Sequence, residues 1–394
     1  MIMRKFCLAF MLMLCYGSVL SQTNYKWTFK AQSGIYSSPL IDNNTVFFGS
    51  NDSVFYALNK ETGKQTWSYK AKGAIKSKAA IFNSLVVFND SKGYITALNK
   101  SDGKLVWCYE TNGEQQLDMW DYYLSSPVVK EGIVYIGSGD HHIYAINANT
   151  GQLVWKYKTG GIVHATPVVH SDRVLVGSFD GYFYALSKDT GDELWKFKTV
   201  GDAYFPIGEV QKAAAIHGNK VIFGSRDYNI YALDIEKGTG YWNMKERGSW
   251  IIATPFVQDD CLYFGTSDTH RFYCMHAGDS QIKWTLPLNM RVYATALAYQ
   301  DRIYFACFNG KLYGVNKNTG EIEYEFQTEA SKAQYEGLFK SETEFAEGVE
   351  LYGDDMQEVE NKILNLGAII GTPCIDENKL YFGDANGNFY VLSL

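Results

Sequence analysis

Beyond its first 21 residues the 394-residue sequence holds no apolar run approaching the roughly 20 residues of a membrane-spanning helix. Nor is there an excess of basic charge. The 36 Lys and Arg stand against 43 Asp and Glu, a net of −7, or −9 once Arg4 and Lys5 are set aside. Phosphate binding wants clustered cations, so this balance argues against nucleic acid as a partner. Cysteine is sparse as well. Cys7 and Cys15 lie near the N-terminus, and the other five, Cys108, Cys261, Cys274, Cys307 and Cys374, form no C-x-x-C, adjacent pair or C-x-x-C-H haem site. Each sits in or beside a strand-like segment, which suits a small buried hydrophobe better than a metal or redox group. The one pairing left open is Cys261 with Cys274, which flank an expected hairpin. No Ser-His-Asp order, metal-ligand spacing or phosphate loop is visible either.

The N-terminus carries Arg4 and Lys5 before an apolar run from Phe6 to Tyr16, then Gly17, Ser18 and Ser21. This pattern is that of a signal peptide over residues 1–21, cleaved after Ser21. Leu14 precedes Cys15 where a lipid-attachment signal wants a small residue, so the expected product is an unanchored chain, residues 22–394, released into the periplasm.

What the sequence does have is a repeat. Trp27, Trp67, Trp107, Trp155, Trp195, Trp242 and Trp284, with Tyr324 in the eighth place, are spaced by 40, 40, 48, 40, 47, 42 and 40 residues. Ten residues before all but Trp27 stands a strand marker: Ala57, Ala97, Ala145, Ala185, Ala232, Cys274 and Gly314, with Val391 as the last marker of the series. Between the markers runs N-x-x-T-G or a variant, as in Asn59 to Gly63, Asn147 to Gly151 and Asn316 to Gly320; these are turn residues. Two earlier strands complete each unit, giving strands A (around Pro39), B (around Phe48), C (around Tyr56) and D (around Trp67). Strands B and C are apolar on both faces, which predicts burial between neighbouring sheets.

The first repeat-like segment, Tyr25 to Phe29, is a lone D strand, and the last is a C strand ending at Leu394. Joined, they make one blade. The expectation is an all-β, eight-bladed propeller of four-stranded antiparallel blades, one domain over 22–394, closed by the N-terminal strand so that no sheet edge is left open. The tryptophans read as a girdle between blades.

The motif Ala-x-Asn-x-x-Thr-Gly-x-x-x-Trp, as at Ala57 to Trp67, resembles the tryptophan-docking repeat of the pyrroloquinoline quinone (PQQ)-type propellers. The likeness covers nearly all of residues 22–394 and implies the same fold. That family holds both quinone-dependent dehydrogenases and non-catalytic propellers of the outer-membrane assembly type, the BamB group, and it is with the latter that this chain is similar in length and blade number. As a quinoprotein, the chain would seat PQQ with calcium over the propeller axis, with Trp120, Arg226, Trp250 and Asp268 as candidate cofactor residues. It lacks the adjacent cysteine pair of many such dehydrogenases and any haem motif.

Insertions point to one rim as the working face. The step from the D-strand aromatic to the next A strand is 12 residues in short repeats, but 20 from Trp107 to Pro127 and 49 from Tyr324 to Pro373, and it is also long from Trp195 to Ala214. All three are D-to-A loops, which share a rim with the B-to-C turns in such a sheet. The residues expected to bind there are Trp120, Tyr122, Tyr123, His141, Tyr204, Phe205, Arg226, Trp250 and His270. His141 and His142 point to opposite faces of a strand, so no metal site is expected. The longest insertion, placed at 329–366, holds ten acidic residues between Glu329 and Glu360 against Lys332 and Lys340; it reads as a solvated flap. Asp354 or Asp355 is expected to cap a helix that docks through Met356, Val359, Ile363 and Leu366. The favoured function is a monomeric, non-enzymatic propeller binding an envelope protein or glycan through this rim.

Overall fold

A computed structural model describes residues 25–394; the expected signal peptide, its cleavage site and Cys15 lie outside the described residues. Among the described residues, 32 strands form eight antiparallel sheets of four. Blade one is Leu40–Asp42, Thr45–Gly49, Val54–Asn59 and Gln65–Lys70. The last blade joins Cys374–Asp376, Lys379–Gly383 and Asn388–Ser393 to the N-terminal strand Tyr25–Lys30, with Phe29 opposite Phe389. The ring therefore closes as the repeat predicts.

Burial follows strand position. The B and C strands are buried on both faces, and their aromatics stack across blades: Phe55 on Phe88 at 4.3 Å, Phe183 on Phe223 at 4.1 Å and Phe272 on Phe305 at 3.8 Å. Such pairs add about 0.5–1.5 kcal/mol each beyond their buried area. The D strands form the outer wall and alternate exposed with half-buried residues.

The N-x-x-T-G turn and the tryptophan are two halves of one joint between blades. In blade one, Asn59 Oδ1 accepts the N–H groups of Glu61 and Thr62, which folds the turn, and Gly63 takes φ 69°. The indole of Trp27 from the preceding blade lies flat on that glycine and donates Nε1–H to the Lys60 carbonyl at 2.9 Å. A Cβ on Gly63 would stand 2.6 Å from the ring, so glycine is required both for its backbone and for the contact. A bulge in each internal D strand, between Ala57 and Leu58 opposite Trp67 and Gln65 in blade one, offsets the tryptophan. The same bond recurs from Trp67, Trp107, Trp155, Trp195 and Trp284. Blade six is the exception. Ser280 (φ 63°) replaces the glycine there, and the indole N–H of Trp242 has no partner.

On the other rim a repeated aspartate pins the loops. Asp52 caps the B-to-C turn through Val54 N–H, accepts the Tyr56 hydroxyl at 2.8 Å, and accepts Gln32 N–H from the D-to-A loop before its blade at 3.1 Å. Asp140, Asp180 and Asp227 do the same for Asn112, Gly160 and Gly201. These bonds confirm that D-to-A loops and B-to-C turns share a rim. All five cysteines among the described residues are free, so the Cys261–Cys274 pairing is not made.

Candidate functional site

The long D-to-A loops of the decorated rim share one structural position, six residues before each A strand begins. Its carbonyl accepts an N–H from its own blade's B-to-C turn: Asn51 to Gly34, Arg226 to Glu209, Ser267 to Trp250, Phe308 to Arg291. By repeat spacing Tyr122 occupies the same position. Gly34, Ala74 and Ala368 keep it small, whereas Tyr122, Glu209, Trp250 and Arg291 send large side chains over the ring from a rigid base.

The axis at this rim is filled. Tyr122 packs on Tyr36, Phe308 and Tyr293, and Tyr123 donates its hydroxyl to the Ile370 carbonyl at 3.1 Å, so the loop after blade two reaches blades one, seven and eight. The flap lies over this plug. Its helix Met356–Asn365 brings Glu360 to accept the Tyr122 hydroxyl and to pair with Arg291 at 2.9 Å, both charges being at most 5 % exposed. Beneath, the Lys212 ammonium stands 3.4 Å from the Tyr123 ring centroid, and burial lowers its pKa to about 7. The flap helix docks through Ile363 and Leu366, as its periodicity predicts. Asp355 holds the N-cap position, but its side chain makes no capping bond.

Beside the plug, over blades five and six, lies a pocket of about 790 Å³. Trp120 and Tyr204 from two insertions, Phe205, Tyr228, Trp250 and Tyr352 of the flap supply aromatic walls. Trp120 meets Trp250 edge-on at 5.7 Å, Phe205 meets Trp250 at 4.9 Å, and Tyr352 meets Trp120 at 6.2 Å. Arg226 lies over the Trp250 ring at 4.4 Å, pairs with Asp118, and donates to Gln211 Oε1 at 2.9 and 3.1 Å. Gln211 in turn donates to Asp121, and Asp121 and Glu114 grip the two nitrogens of buried His164 at 2.9 and 2.8 Å. Burial pulls the His164 pKa down, but the two carboxylates outweigh it and hold it at about 9. This chain of bonds fixes the loop that carries Trp120.

The structure thus brings Trp120, Arg226, Trp250 and Asp268 together with Tyr204 and Phe205 in one pocket. Other rim residues require correction. Tyr122 and Tyr123 are 4 % and 5 % exposed and belong to the plug, not to a binding surface. Trp250 is 7 % exposed and Arg226 2 %, so each reaches the pocket only by an edge. His141 lies in blade three, outside the pocket, its carbonyl bound by Thr159. His270 packs against Phe345 of the flap, and burial with the nearby Arg291 charge lowers its pKa to about 4. The flap is not solvated throughout, since Glu360 is buried. His164, Gln211, Lys212, Arg291 and Glu360 carry the site's electrostatics; the first four stand out only when the repeats are aligned position by position, and Glu360, in the flap, has no repeat counterpart.

Fold and site define a PQQ-type eight-bladed propeller whose decorated mouth is plugged by its own side chains. The chain belongs to the family described as outer membrane protein assembly factor BamB, whose model matches residues 21–120, 110–245 and 226–354. No curated protein matches it. Among solved structures it is similar to BamB from Moraxella catarrhalis, with TM-score 0.72, 15 % identity, and 94 % of this chain and 100 % of that one covered. It is also similar to a quinohemoprotein alcohol dehydrogenase, ADHIIG, from Pseudomonas putida HK5, with TM-score 0.70, 13 % identity, and 95 % and 76 % covered. A computationally designed protein, Ika8, matches equally well, with TM-score 0.71, 16 % identity, and 94 % and 100 % covered, so these likenesses speak for the fold alone.

A quinone over the axis would need the space that Tyr122, Tyr123, Arg291 and Glu360 fill. Calcium wants six or more oxygen ligands, and among the described residues no three His, Cys, Asp or Glu side chains gather to hold a metal. The residues present do not fit PQQ with calcium at that place.

Proposed function

We propose that the chain is a non-enzymatic periplasmic propeller, acting as a monomer, that binds a segment of an envelope protein in the aromatic pocket of its decorated rim. The carrying observation is that two separate insertions and the flap converge on one open aromatic pocket while the axis beside it is closed. Aromatic side chains with two rotatable bonds give large contact area at small entropic cost, which suits protein recognition. The family description, an outer-membrane protein assembly factor, supports a protein partner over a glycan. The test is photo-crosslinking in cells from position 204, where Tyr204 is 82 % exposed, against position 149 in a C-to-D turn of the opposite rim. Adducts to a discrete envelope protein from 204 and not from 149 support the reading; adducts equally from both, or from 149 alone, overturn it.

A further inference from the structure

The charges around the aromatic pocket do not balance. Three cations near it are spent: Arg226 on Asp118, Lys245 on Asp202 at 2.7 Å, and Arg291 on Glu360 at 2.9 Å; Arg247, next to Gly248 of the lining, is exposed to solvent and has no salt bridge among the described residues. Two carboxylates lining the pocket, Glu209 and Asp268, have no salt bridge among the described residues. One carboxylate oxygen of Glu209 is buried without any hydrogen-bond partner, and so is the indole N–H of Trp250 beside it. Burial pushes the Asp268 carboxyl above its ordinary pKa, with Arg291 only partly offsetting it. A buried acceptor left unmet costs free energy, and a pocket walled by aromatic faces attracts cations through the ring quadrupole.

We propose that the pocket takes the cationic side chain of a lysine or arginine presented by the protein partner, resting on the rim-binding reading above. The alkyl stem lies between the aromatic walls and the cationic head meets Glu209 and Asp268. A neutral sugar would use the walls and leave both carboxylates unpaired, which is why the charge selects a basic segment over a glycan. Arg226 does not oppose the guest, because Asp118 already neutralises it.

The probe is an acetylated, amidated tetrapeptide with lysine between leucines, compared with the same peptide carrying norleucine, titrated into the full mature chain by calorimetry. The lysine peptide is expected to bind roughly 10- to 30-fold more tightly, from cation–π and charge-assisted contacts together. Glu209→Gln combined with Asp268→Asn, near-isosteric changes whose folding is checked by thermal melting, should abolish that preference. Equal affinity for both peptides, a preference that survives the double substitution, or no binding of either peptide overturns the cationic anchor. Crosslinking from position 204 separates this from the parent reading. Adducts that persist while the lysine preference is absent leave the rim as a binding face and remove only the anchor; a lysine preference without adducts removes the rim reading.

Discussion

Glu360→Ala offers the sharpest test of how the flap is held. The carboxylate and Arg291 are 2.9 Å apart and at most 5 % exposed, so at an effective dielectric of 20 their attraction is roughly 6 kcal/mol before desolvation is charged against it. Removing one partner leaves the Arg291 charge buried and the Tyr122 hydroxyl without its acceptor, and such losses run to about 3–5 kcal/mol. Asp268 still faces Arg291, which places the expected loss near the lower end. The flap can undock more cheaply than the ring can unfold, so the loss should appear first as local opening. Hydrogen exchange read by mass spectrometry is expected to speed up over residues 328–373 and in the loop carrying Tyr122, with a smaller fall in the melting temperature. Glu360→Gln keeps an acceptor for Tyr122 and should lose less. Both variants melting within about 1 kcal/mol of wild type, with flap protection unchanged, would refute the role given to this pair.

Three further outcomes are expected. Gly191→Ala should cost about 2–3 kcal/mol in denaturant melts, since φ is 77° and the new Cβ would stand 2.6 Å from the Trp155 ring, whereas Gly218→Ala, at φ 57° with nothing within 4 Å, should cost only about 1 kcal/mol; equal costs would discount the docking contact. The folded-state pKa of His164 is raised from 6.5 to about 9, so its contribution is complete below pH 6.5 and is lost as pH rises through 9. The stability gap between wild type and His164→Gln should therefore shrink by up to about 3 kcal/mol between pH 6 and pH 10, and a gap that widens with pH contradicts the Asp121–His164–Glu114 geometry. Deleting residues 25–30 exposes the strand Asn388–Ser393 as an open edge and should cause aggregation; a soluble, cooperatively melting product would contradict ring closure.

The architecture was legible because a propeller writes the same local chemistry many times over. Each N-x-x-T-G turn folds from hydrogen bonds within five residues, and each repeat tryptophan after Trp27 lies ten residues past an alanine or its equivalent, so period and blade count are local facts repeated along the chain. The same logic located the rim that carries the insertions, since loop lengths are read directly from departures in that period. The fold brings all four candidate cofactor residues, Trp120, Arg226, Trp250 and Asp268, into one pocket, although the axis they were expected to surround is filled by Tyr122 and Tyr123. Those two tyrosines looked like exposed loop aromatics because nothing within the loop supplies their partners; Tyr36, Phe308 and Ile370 come from other blades.

By itself, then, the sequence determined the strands, the eight blades, the closure by the N-terminal strand and the rim that carries the insertions. Only the tertiary structure decided which charges are buried and which are paired. Glu360 stands in a run of ten acidic residues that differ little in sequence, yet it alone of them is buried, because the helix presents it to Arg291 from a blade 69 residues earlier in the chain. Glu209 and Asp268 have no salt bridge for the converse reason: Arg226, Lys245 and Arg291 are taken by Asp118, Asp202 and Glu360, partners drawn from three different loops. Burial and pairing are properties of three-dimensional neighbours, and a repeat that specifies its own turns and joints carries no record of which long loop will fold over which mouth.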